Sequence, residues 1–170
     1  MKKIFFICIV LFAIIAITGC SKDKECDEWE QTAIEPQTFV NIRWKCIGFV
    51  NTKSCVIKKI KPEDKVCYIF EFYDSIPPEY SEYFPAEIAD LEYKLFLGRT
   101  STNDIMGIYK LDYETGIFQI HKIGGTKMGE INDGKKYYDI LRAAQFLSVD
   151  GNKLRLHYNN GKNHLLFKKQ

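Results

Sequence analysis

Histidine is scarce in this 170-residue chain, with three residues, and neither sign of charge dominates, since 24 Lys and Arg face 22 Asp and Glu. The scarcity of imidazole leaves acid–base chemistry without its commonest side chain. His121 sits in a strand-like stretch with no marked Ser or Cys partner. Ser101 lies in "GRTSTN", which lacks the nucleophile-elbow pattern. The acids are numerous, but no spacing sets a glycosidase pair apart. No catalytic residue is assigned, and an enzyme is not expected. Balanced charge excludes a second class. Lysine doublets occur at Lys58-Lys59, Lys135-Lys136 and Lys168-Lys169, but they form no concentrated basic stripe of the kind nucleic acid requires. They read as solvated faces.

Also missing is an apolar run of about 20 residues, the length a membrane-spanning helix needs. The longest run, Ile4 to Ile17, falls short. Close cysteine pairs with zinc-ligand spacing are absent too. So is the second half of a phosphate-binding motif. In "IGGTKMGE", Ile123 to Glu130, four residues separate Gly124 from Gly129, as in a P-loop. Lys and then Ser or Thr must follow to hold phosphate and magnesium. Glu130 and Ile131 follow instead, and a carboxylate there repels phosphate. Neither a nucleotide nor any other cofactor is expected.

What is present begins at the N-terminus. Lys2 and Lys3, the apolar run and Thr18-Gly19-Cys20 describe a secretory signal. The ending "ITGC" resembles a bacterial lipobox, which makes Cys20 the lipidated first residue of the mature protein. Acyl chains such as palmitate would then tether it to a membrane. Three parts are expected: signal peptide 1–19, lipidated cysteine and flexible tether 20–36, and a folded domain 37–170. Removing residues 1–19 takes away Lys2 and Lys3 and no acid, so the mature chain is formally neutral. The Lys and acid cluster after Cys20 resembles surface-export signals of Gram-negative lipoproteins, with a plain soluble spacer as the alternative. The expected location is the cell envelope of a Gram-negative bacterium, at the outer membrane, periplasmic or surface-exposed.

Cys26, Cys46, Cys55 and Cys67 remain, and export makes disulfides possible. Four cysteines allow three pairings. Cys55 and Cys67 flank a loop-like stretch containing Pro62, which favours that pair. Cys46 also reads as a small buried hydrophobe.

From Phe39 the sequence alternates. Val40, Ile42, Trp44 and Cys46 form one strand-like series, and Val66, Tyr68, Phe70 and Phe72 another. "SIPPEYSEYFPAEIADLEY" interrupts with three of the five prolines. It predicts a long loop with a helical turn after Pro85, whose Tyr80, Tyr83 and Phe84 could dock a partner or pack on their own domain. Strands resume at 94–100, 105–112 and 117–123. One helix follows, capped by Asn132 or Asp133, with Tyr137, Ile140, Leu141 and Ala144 on its apolar face. Asp150-Gly151 and Asn160-Gly161 signal two hairpins. Around the second, His157 faces His164, while Leu154, Leu156, Leu165 and Phe167 share the opposite face. Two opposed imidazoles on an outward face could share zinc or copper. No acid in the hairpin completes the set, so no metal is expected and the pair reads as surface imidazoles. The fold class is mainly β: a small antiparallel, lipocalin-like barrel of about seven to eight strands with one packed α-helix.

"LGRTSTNDIMGIYKLD", Leu97 to Asp112, resembles the first signature of META domains, the fold of HslJ-like envelope lipoproteins. Gly98, Asn103, Gly107 and Tyr109 match it, and Thr126 and Met128 match a later Thr-x-Met segment. The likeness runs from about Phe39 to Lys169. Thr102 and Gly129 stand where that family often carries two cysteines. The resemblance implies a small barrel with a helix against it and an envelope location, without an agreed catalytic mechanism. The expected role is binding or structural, in envelope integrity or stress tolerance, with an envelope protein or small ligand as partner. The alternatives are a lipocalin-like carrier of an apolar ligand and a protease-inhibitor-like binding module. Bulky Trp44, Tyr68, Phe70, Phe72, Tyr109 and Phe167 predict a filled interior, which disfavours a carrier.

Overall fold

The computed structural model describes residues 33–60, 67–84 and 92–170. The expectations for the signal segment, Cys20 and Cys26, and for a helical turn after Pro85, lie outside them. Nine strands form one antiparallel sheet: β1 (Arg43–Asn51), β2 (Val56–Lys59), β3 (Ile69–Phe72), β4 (Lys94–Arg99), β5 (Asp104–Leu111), β6 (Phe118–Gly125), β7 (Phe146–Asp150), β8 (Lys153–Tyr158) and β9 (Asn163–Lys169). One helix, α1 (Gly134–Ala143), lies between β6 and β7. The order across the sheet is β6-β5-β4-β3-β1-β9-β8-β7, with β2 paired to β1 outside this path. The ninth strand is β2. It is short and mostly exposed, so it carries none of the apolar alternation that marks the others.

The ladder does not close into a continuous barrel. Its two end strands, β6 and β7, meet at one place. Ile117 bridges Phe146, and the Phe118 and Leu147 amides donate to the Gln145 and Gly116 carbonyls at 2.8 Å. In β1 the inward series Trp44, Cys46 is shifted by a bulge between Cys46 and Gly48, after which Phe49 faces the core. The inner face is packed with rings. Phe70 stacks on Phe96 with centroids 4.7 Å apart, and Phe72 meets Tyr109 edge-on at 5.2 Å. The Trp44 indole N–H donates to the Phe39 carbonyl at 3.0 Å, which satisfies the one polar atom that ring buries. Each such ring contributes about 1.5–3 kcal/mol on burial. The interior is therefore filled, as the bulky inward residues predict.

Helix α1 lays Tyr137, Ile140 and Leu141 onto this core, with Tyr137 edge-on to Tyr68 at 5.3 Å. Its cap differs from expectation. Asp133 precedes the helix but makes no side-chain cap bond; its carboxylate pairs with Lys58 at 2.7 Å instead. The fold also begins before residue 37. Ile34 is buried, and its amide donates to the Tyr113 carbonyl at 2.7 Å. In the long loop Pro78–Tyr83 forms a 3-10 helix, held by Tyr80 N–H to the Pro77 carbonyl at 2.9 Å.

Candidate functional site

The Pro78–Tyr83 turn stands over the outer face of β4, β5 and β6. There β4 and β5 present Leu97 and Met106, paired across the strands, and β6 presents Gly124 beside Met106. Between this face and the turn runs an open, mostly apolar groove of about 710 Å³, lined by Tyr80, Tyr83, Phe84, Leu97, Met106 and Gly124 among others. The three aromatic residues that could dock a partner or pack on their own domain are thus brought together. Tyr83 is 55% exposed. Gly124 leaves the floor open, since a Cβ added there would meet nothing within 4 Å.

A larger groove, about 870 Å³, lies between the Asp74–Ile76 segment and β5. One pair of its charges is matched. Lys94 Nζ bonds Asp74 Oδ1 at 2.5 Å, and the Tyr113 hydroxyl donates to the same oxygen at 2.8 Å. The Lys94 hydrogen bond foremost, followed by that of Tyr113, holds the Asp74 carboxyl below its ordinary value. Lys110 covers the Tyr93 ring at 4.6 Å.

One rim of the apolar groove is built by the β4–β5 turn and the segment after β6. Asn103 is nearly fully buried and clamps the two. Its Oδ1 accepts from the Met128 amide at 2.7 Å and the Thr126 hydroxyl at 2.8 Å, and its Nδ2 donates to the Met128 carbonyl at 2.8 Å and Glu130 Oε1 at 2.6 Å. Glu130 also accepts from Thr100 and Ser101, each at 2.5 Å. Burial opposes its ionisation, but the hydrogen bonds from Ser101, Thr100, Asn103 and Thr102 outweigh burial and hold the carboxyl below its ordinary value. An ionised, fully engaged carboxylate is a poor general base for Ser101. The arrangement is a latch. Sequence alone shows Glu130 only as a misfit in a phosphate loop, because its partners lie 27 to 30 residues away.

The remaining motif residues have structural work. Gly98 lets β3 approach, since a Cβ there would lie 2.6 Å from the Ile69 carbonyl oxygen; Gly107 makes room for the Phe96 ring. The Tyr109 hydroxyl donates to the Tyr73 carbonyl at 3.0 Å. Met128 acts through its backbone, and its side chain is exposed.

Two expectations need correction. His157 and His164 do face each other on the outer side of β8 and β9, with ring centroids 5.1 Å apart. They are not surface imidazoles: both are buried, along with Arg155, Val50 and Leu166 on the same side. Burial first, then Arg155 for His157 and His157 followed by Arg155 for His164, pushes both pKa values down to about 3. His157 Nε2 bonds Ser148 Oγ at 2.9 Å. Neither His164 nitrogen has a hydrogen-bond partner, and among the described residues no third ligand makes a metal cluster with the pair. The Cys55–Cys67 pair also does not form: among the described residues no disulfide joins them. Cys55 Sγ contacts the Thr52 carbonyl beyond one end of β1, whereas the Cys67 carbonyl accepts from Lys45 near the other end. At about 3.3 Å per residue the two thiols are roughly 20 Å apart, far outside disulfide reach.

No protein-family model matches the chain, and no curated protein matches it. Solved structures do resemble it. A protein from Burkholderia xenovorans, determined by NMR, has a TM-score of 0.53 at 15% identity over 85% of this chain and 94% of that one. A second NMR structure has a TM-score of 0.51 at 18% identity over 79% and 94%. A DUF4847 family protein from Bacteroides vulgatus has a TM-score of 0.45 at 15% identity over 78% and 95%. At the identities of the first two, the likeness is one of fold.

Proposed function

We propose that this chain is a lipid-anchored cell-envelope protein whose META-like domain binds a partner or small ligand and performs no catalysis. The observation that carries the binding role is the apolar groove under Tyr80, Tyr83 and Phe84. Open concave surfaces of several hundred Å³ with aromatic lining are the usual form of a binding site. Ring packing fills the interior, so a ligand would sit outside the sheet, unlike a lipocalin-type cargo. The META reading is supported by the positions Thr102 and Gly129, which stand where that family's cysteines occur. The Thr102 hydroxyl donates to the Gly129 carbonyl at 3.0 Å. The "ITGC" ending at Cys20 supports the anchor.

A photocrosslinking amino acid placed at Tyr83 in cells should yield a discrete envelope adduct. Gly124→Leu, which fills the groove floor, should abolish it. An adduct equally strong from Ile117, away from the groove, would defeat the assignment. The anchor is tested separately: Cys20→Ala should abolish acylation and membrane fractionation, and unchanged fractionation rejects it.

A further inference from the structure

Two lysine doublets far apart in sequence meet at one end of the domain. Lys58 in β2 reaches Asp133 at 2.7 Å, just before α1 begins. Lys58 and Lys136 both lie over the Phe49 ring, at 5.9 and 4.2 Å. Thr52 bonds the Lys162 carbonyl through its hydroxyl at 2.7 Å, which brings the β1–β2 and β8–β9 turns together. Lys53, Lys58, Lys59, Lys135, Lys136 and Lys162 are all exposed here. Among the described residues, Asp133 is paired with Lys58, Asp139 with Lys135, and Glu130 is held by the hydroxyl latch. Three of the large apolar side chains that stand out into solvent, Val56, Met128 and Ile131, are carried by β2 and the segment leading into α1, at 60%, 65% and 56% exposure.

The opposite polarity lies elsewhere. Described residues 67–84 and 92–114, which include the turn over the groove, hold eight acids against Lys94, Arg99 and Lys110. Charge is therefore segregated among the described residues. Aliphatic tips beside exposed lysines match an anionic bilayer surface, where apolar side chains enter the interface and nearby lysines attract the headgroups. We propose that this end, formed by β2, the 127–136 segment and the β8–β9 turn, docks on anionic lipid. The acids of 67–84 and 92–114 would be repelled, which favours approach through the lysine-bearing end. The inference does not rest on acylation at Cys20.

The test uses the full chain carrying Ile131→Trp, with Ile117→Trp as the control, on vesicles of phosphatidylglycerol and phosphatidylcholine or of phosphatidylcholine alone. The expected result is a blue-shifted emission at position 131 on anionic vesicles only, with none at 117. The shift should vanish with Lys53→Glu/Lys59→Glu/Lys162→Glu, whose melting should match the parent. It should also vanish at about 1 M salt, where the Debye length is about 3 Å. Flotation with vesicles without a shift at 131 is attachment through the N-terminus alone and overturns the proposal. Equal shifts at both positions, or a shift on neutral vesicles, do so too. A shift with polyglutamate and none with vesicles assigns the surface to an acidic protein, which also overturns it.

Discussion

The Thr102 hydroxyl donates to the Gly129 carbonyl at 3.0 Å, joining two segments 27 residues apart. A hydrogen bond thus stands where the META resemblance places a pair of cysteines. A Cβ added at Gly129 meets nothing within 4 Å, so a side chain fits there. The double variant Thr102→Cys/Gly129→Cys should form a disulfide spontaneously under oxidising conditions. Closing a loop of this length should stabilise the fold by about 3 kcal/mol. Mass spectrometry under non-reducing conditions and a denaturant titration check both parts. Two free thiols in the folded, oxidised variant would remove the geometric support for the resemblance.

Glu130 is a hub of the same latch. Removing it strands the Ser101 hydroxyl and one Asn103 donor in a largely buried setting and leaves the Thr100 hydroxyl only its 3.2 Å bond to the Asn103 carbonyl. Leaving such donors unpaired costs about 1–3 kcal/mol each, less where water can enter. Glu130→Ala should therefore destabilise the domain by roughly 2 kcal/mol, and Glu130→Gln, which keeps one acceptor, by less. Because the folded carboxyl titrates below its ordinary value, this stabilisation is complete above about pH 4.5 and fades as pH falls. Equal stability of the Ala and Gln variants at pH 7 would show that the hydrogen bonds do little.

What the sequence made legible follows from periodicity and turn chemistry. The β8–β9 register could be worked out because Asn160-Gly161 fixes a two-residue turn and the apolar series then agrees on one face; Tyr158 does pair with Asn163 and His157 with His164. Which faces are covered was not legible. Alternation marks Leu154 and Leu156 as buried, but it cannot reveal that the opposite face, with Arg155, His157 and His164, is buried as well. The latch was hidden for a related reason. Asn103 and Glu130 lie 27 residues apart, and only the β5–β6 pairing of Ile105 with Gly125 brings their segments together. The convergence of Lys58 with Lys136 is likewise a product of tertiary packing.

The buried histidines predict an acid-sensitive fold. Each has a folded pKa near 3, against an ordinary 6.5 for the unfolded chain. The unfolded state therefore binds more protons between those values, and stability falls as pH drops from about 6.5 toward 3. At pH 5 the loss is roughly 2 kcal/mol per imidazole. His164→Phe keeps the ring volume and removes two nitrogens that have no hydrogen-bond partner. It should match or exceed the parent's stability at pH 7, and it should halve the decline from pH 7 to pH 5. Urea unfolding at both pH values measures this. An unchanged pH dependence in the variant would mean that His164 is solvated in the folded protein.

Gly107 and Gly124 make a paired test of the outer groove against the core beneath it. They lie in adjacent strands, with Met106 paired to Gly124 and Gly107 to Ile123. Alternation sends their vacant Cβ positions to opposite faces of the sheet. At Gly107 a Cβ would lie 2.5 Å from the Phe96 ring, in a core where that ring stacks on Phe70. Neither the ring nor the neighbouring Lys122 carbonyl can retreat without disrupting a close-packed interior, so Gly107→Ala should cost about 1–3 kcal/mol or more. At Gly124 the same atom enters the open groove, so Gly124→Ala should change stability by less than about 0.5 kcal/mol. Thermal melts of the two variants distinguish them. If Gly124→Leu is as stable as the parent yet loses the crosslink from Tyr83, the groove is separable from the fold, as a binding surface built on the outside of a filled sheet must be. Equal destabilisation by Gly107→Ala and Gly124→Ala would mean that the groove is closed in solution, and the binding role would lose its site.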